Sequence, residues 1–160
     1  MKNKDFLLRT AFVCMSCDGN IAEEEIKMIK QMAIEKHLFG DIDIEKELEC
    51  LIMEINQKGK AFMRQYLREL SESSMTVDEE LQIADVAVQV IRTDKRIEYS
   101  EIKFFKVLRS NLKVVSDETL LEKIEGIDEN YLAQDIQADY LQMYDDYFSI
   151  LELPKFEMKL

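Results

Sequence analysis

The chain has 160 residues, 47% of them hydrophobic, with four Gly and one Pro. That is enough apolar material for a single domain spanning 1–160 with a real core, and it excludes a chain disordered throughout. The formal net charge is −12, and residues 113–160 alone hold 12 acidic against 4 basic side chains; such a surface repels nucleic-acid phosphates and anionic membranes alike.

Residues 4–17 place Phe6, Leu7, Ala11, Val13, Cys14 and Cys17 at helical intervals, in a short amphipathic segment. Asp18-Gly19-Asn20 reads as a turn, because Gly and Asn tolerate a left-handed backbone. A second helix runs to about Lys36 with Ile26, Ile29, Met32 and Ala33 as its apolar stripe. Gly40-Asp41 interrupts the chain, and residues 43–57 put Ile44, Leu48, Leu51, Ile52 and Ile55 on one face. After Lys58-Gly59-Lys60, residues 61–72 offer Phe62, Tyr66, Leu67 and Leu70. Thr76-Val77-Asp78-Glu79 fits a capping box and starts a helix over 77–93 carrying Leu81, Ala84, Val88 and Ile91. A helix over 98–112 follows with Ile102, Phe105, Leu108 and Leu112. Ser116-Asp117 opens a short helix to about Ile124. A last segment, roughly 129–151, interleaves Tyr131, Tyr140, Tyr144, Tyr147 and Phe148 with Asp135, Asp139, Asp145 and Asp146, as a helix docked on the bundle does; a partner-binding helix is the other reading. No strand alternation of useful length appears, so the expected fold is all-α, a compact bundle of about seven or eight helices.

An internal echo organises the chain. Asp18-Gly-Asn-Ile21-Ala-Glu-Glu-Glu25 and Asp94-Lys-Arg-Ile97-Glu-Tyr-Ser-Glu101 both fit D-x-x-I-x-x-x-E. When residues 11–33 are laid over 87–109, seven positions coincide: Ala11/Ala87, Asp18/Asp94, Ile21/Ile97, Glu25/Glu101, Ile26/Ile102, Lys27/Lys103 and Lys30/Lys106. The echo predicts two pseudo-symmetric helix–turn–helix units, about 5–36 and 77–112, followed by an acidic extension over 113–160.

At these turns the chain resembles the tellurite-resistance TerB-like family of bacterial all-helical domains. The first copy runs from Ala11 through Asp18, Gly19 and Ile21 to Glu25, and the second from Ile83 through Asp94 and Ile97 to Glu101. The resemblance covers about residues 5–112. It implies a helical bundle without catalysis, associated with bacterial stress responses and binding a metal through acidic residues. In the second copy Lys95 stands where the family pattern prefers Gly, with Arg96 beside it; two cations next to Asp94 weaken a metal site there.

The candidate metal ligands are therefore Asp18, Glu25, Asp94 and Glu101, whose oxygens suit a hard divalent cation if the two units face each other. The turns are not EF-hand loops: positions 1 and 3 of such a loop fall on Cys14 and Ser16 in the first copy, and on Val90 and Arg92 in the second. The structural alternative is that Asp18 holds turn amides while Glu25 and Glu101 complete the first turn of the next helix. Cys14-Met-Ser-Cys17 raises a thiol-redox reading and, with His37 and Cys50, a zinc reading. It falls near a helix C-terminus rather than the N-terminus that activates a thiolate, the outer spacing matches no regular zinc module, and small core residues fit the pattern better. His37, the one histidine, suits the C-terminal dipole of the second helix. No hydrolytic triad, phosphate loop or dinucleotide fingerprint is present, so no enzyme is expected. Direct membrane insertion is not expected, since no apolar run approaches the roughly 18 residues a spanning helix needs. Three cysteines make no disulfide framework and the first residues carry no leader pattern, so the expected location is cytoplasmic. The expected ligands are a divalent cation, a protein partner, or both.

Overall fold

A computed structural model describes residues 3–17, 19, 21, 23–35, 39, 43–93, 99–124, 127, 147–149, 151 and 153. Among these residues the protein is all-helical and without strands: α1 (Asn3–Ser16), α2 (Glu23–Glu35), α3 (Ile44–Lys58), α4 (Lys60–Glu72), α5 (Val77–Thr93), α6 (Tyr99–Ser110) and α7 (Asp117–Lys123), with a further helical turn over 147–149. Of the expected final helix, 129–151, only residues 147–149 and 151 are described. No helix among the described residues is long and apolar enough to cross a membrane.

The sequence reads α1 as amphipathic, but the fold buries it on every side. Every residue from Phe6 to Cys17 except Arg9 is buried. Apolar side chains around the whole circumference leave such a helix no solvent face to present. It packs against each of α2 to α6, most extensively along α5, its counterpart in the repeat. At the α1–α4 interface Phe6 stacks on Tyr66 with centroids 4.9 Å apart, while Phe12 meets Phe62 edge-on at 5.7 Å. Thr10 and Tyr66 share a hydroxyl hydrogen bond of 2.6 Å, so this polar pair enters the core already satisfied. The expected stripes of α2 to α6 are buried apart from Ala33, Ile44, Leu81 and Ile102, which are half-buried and packed against the core.

Local signals place the helix ends. Gly19 has φ +80° and Gly59 φ +60°, both in the region that costs a side-chain-bearing residue energy. Gly59 ends α3 and begins α4, donating its N–H to the Ile55 carbonyl at 2.7 Å. Asp43 caps α3 by accepting from the Lys46 N–H, and Ser116 caps α7 by accepting from the Thr119 N–H. The capping box before α5 forms in both directions: Thr76 Oγ1 accepts from the Glu79 N–H at 3.2 Å, and Glu79 Oε1 accepts from the Thr76 N–H at 3.0 Å.

One lock was not foreseen. Glu80, in the first turn of α5, is 2% exposed and accepts three backbone N–H groups from the α6–α7 connection: Lys113 at 2.9 Å, Val114 at 2.8 Å and Val115 at 3.0 Å. Lys113 also donates its ammonium to the Ser71 and Ser73 carbonyls at the end of α4. One carboxylate thus ties α5 to the segment after α6. Replacing Glu80 with Gln puts an N–H₂ where an acceptor is needed and leaves a buried donor unanswered. Urea denaturation should show a loss of about 1–3 kcal/mol, against about 1 kcal/mol for Thr76→Ala, which removes half of the exposed capping box. Equal stability of Glu80→Gln and the wild type would exclude this lock.

Candidate functional site

The repeat places Glu25 and Glu101 as the third residues of α2 and α6, where negative charge is favoured by the helix dipole. Surface glutamates are ordinary in that position; these two are 3% and 2% exposed. Both act electrostatically on one buried thiol, that of Cys14 on α1. The other two expected ligands, Asp18 and Asp94, lie outside the described residues, as does the whole second turn. Among the described residues, no group of three or more His, Cys, Asp or Glu side chains is gathered to hold a metal ion. What is described there is a pair of buried glutamates, each in the first turn of its helix.

The cysteines have no disulfide among them. Cys14 and Cys17 are buried and Cys50 is exposed on α3. Burial first, then the charges of Glu101 and Glu25, push the Cys14 thiol well above its ordinary value of 9.0. A redox or zinc-binding thiol needs the opposite shift, towards the thiolate. Cys17 donates its thiol proton to the Cys14 carbonyl at 3.0 Å, the local bond of a small core residue near a helix end. His37 lies outside the described residues.

Two features of the site escape sequence reasoning. The sequence marks Cys14 as half of a CxxC pair but not that Glu25 and Glu101 add to burial in raising its thiol. Tyr147, far along the acidic tail, is fully buried and donates its hydroxyl to the Cys17 carbonyl at 2.7 Å, directly before that turn. Its aromatic spacing marks it as apolar contact but says nothing of which carbonyl it reaches.

Fold and centre define the class: an all-α helical bundle with repeat-related carboxylates buried at its middle. No family model matches the chain, and no curated protein or solved structure matches it.

The buried phenol and thiol have a measurable consequence. Burial raises Tyr66 above its ordinary 10.0 as it raises Cys14 above 9.0, so the folded protein holds both protons where the unfolded chain releases them. Their contribution is fully present below the unfolded values and is lost as pH climbs above about 9. Stability should fall there by about 1.4 kcal/mol per pH unit for each group in play, and the fall should be shallower in Cys14→Ala. In native protein iodoacetamide should label Cys50 alone. Alkylation of Cys14 at pH 6 as fast as at pH 8.5 would revive the redox reading.

Proposed function

We propose that this chain is a non-enzymatic, TerB-like binding protein that takes a divalent cation at its paired acidic turns. The observation that carries the reading is the burial of Glu25 and Glu101, which hold the same place in the two copies of the sequence pattern. The donor set is all oxygen, which suits calcium, magnesium or manganese better than a thiolate-seeking metal. Asp18 and Asp94 add the remaining carboxylates from the turns, and Lys95 with Arg96 makes the second turn the weaker contributor. The bacterial stress-response setting, with tellurite resistance its best-known form, comes from the family resemblance alone.

Elemental analysis of untagged protein, with a thermal-shift scan over calcium, magnesium, manganese and zinc and a chelator control, tests the proposal. A cation that binds only the native state stabilises it by about 2.7 kcal/mol at a hundredfold excess over its dissociation constant. The shift should appear with a hard cation, vanish with chelator, and shrink in Asp18→Asn and Glu101→Gln. No bound metal and no shift would overturn the cation site in favour of an interaction scaffold, whose partner is captured equally with and without chelator.

A further inference from the structure

We propose that the seat formed by the end of α1, α4 and α6 is a peptide-recognition site, filled by the chain's own Tyr147–Leu151 segment within one copy and by the same segment of a second copy through exchange. Neither step requires a cation.

Four groups on the seat each read a different part of the segment. The Cys17 carbonyl, at the end of α1, accepts from the Tyr147 hydroxyl at 2.7 Å. Phe104 of α6 meets the Tyr147 ring with centroids 5.2 Å apart. On α4, the Arg64 guanidinium lies 4.8 Å over the Phe148 ring, and Lys60 Nζ donates to the Phe148 carbonyl at 2.8 Å. Leu151 is buried, and its N–H returns to the Tyr147 carbonyl at 3.1 Å. That helical turn sets Tyr147, Phe148 and Leu151 on one side of the segment, the anchor spacing of a short helix laid in a groove. The motif being read is Tyr-Phe-x-x-Leu. Its phenol is specific, because a ring without the hydroxyl leaves the Cys17 carbonyl without that donor.

The seat is built without help from the segment. Helix α1 packs directly on α4 and α6, with Phe6 stacked on Tyr66 and Phe12 edge-on to Phe62. In the sequence Asp145-Asp146 precedes the motif, opposite in charge to Lys60, Arg64 and Arg68, which recur one turn apart along α4. Arg64 and Arg68 are exposed and form no ion pair among the described residues. A second copy carries the same acidic segment by identity. The 19 residues from 128 to 146 span about 28 Å as a helix and about 60 Å extended, so they reach a neighbouring molecule. Exchange keeps every contact of the segment and is opposed chiefly by the freedom lost on association.

A fluorescein-labelled peptide of residues 145–153 is the probe. In the full chain, Tyr147→Ala with Phe148→Ala empties the seat; Phe148→Ala alone replaces it if the double variant loses its helical circular dichroism. The emptied variant should bind the peptide at least about tenfold more tightly than the wild type, whose own segment competes at an effective concentration in the millimolar range. A peptide with phenylalanine in place of its tyrosine should bind roughly two- to tenfold more weakly, the factor for one hydrogen bond. Adding Arg64→Ala to the protein should weaken binding by a similar factor. A folded variant that takes up the peptide no better than the wild type would overturn the site. Lys60→Glu with Arg64→Glu damages the seat and leaves the segment intact. Mixed at micromolar concentration with the emptied variant, it should sediment as a one-to-one dimer, beyond any association of either alone. Peptide binding without that dimer would overturn the second copy as occupant and leave the seat to a segment of another protein.

Discussion

A helix with no solvent face must have each of its polar groups answered from inside the protein, and α1 is such a helix. Thr10 donates to the Phe6 carbonyl at 2.9 Å while sharing a bond with Tyr66. Ser16 turns back to the Phe12 carbonyl at 3.0 Å, Cys17 to that of Cys14, and Tyr147 arrives from the tail to serve the Cys17 carbonyl. An unanswered group in this position costs on the order of 1–3 kcal/mol, a sizeable part of a small domain's net stability. Helices α2 to α6 pack against α1 and cover its apolar circumference.

Buried carboxylates have two different uses here. Glu80 is structural: three backbone amides from one short connection converge on it, and the result is a fixed joint between α5 and the chain after α6. Glu25 and Glu101 are related by the repeat, start helices, and bear together on a thiol at the centre of the protein.

The same burial that builds the centre disposes of the thiols. A CxxC pair at a helix N-terminus, facing cations, becomes nucleophilic; here it lies near the end of α1, and burial above all pushes the Cys14 thiol up. In the acidic tail, Phe148 is held from α4 and Tyr147 lies against Phe104 of α6, with its hydroxyl donating to the Cys17 carbonyl.

The all-α fold was legible because helical periodicity, capping residues and turn glycines are local properties of a sequence. The capping box at Thr76 and Glu79, the break at Gly59 and the left-handed Gly19 each form where the residues indicate. The echo between residues 11–33 and 87–109 is a property of the sequence, and both of its glutamates fall in the first turn of a helix. Which surface each helix turns inward was legible only in part: a stripe shows that one face is apolar, not that all faces of α1 are covered. The depth of Glu25 and Glu101, the three amides on Glu80 and the reach of Tyr147 to Cys17 were decided by the tertiary structure alone. Each joins groups far apart in the chain, and no local preference encodes the distance between them.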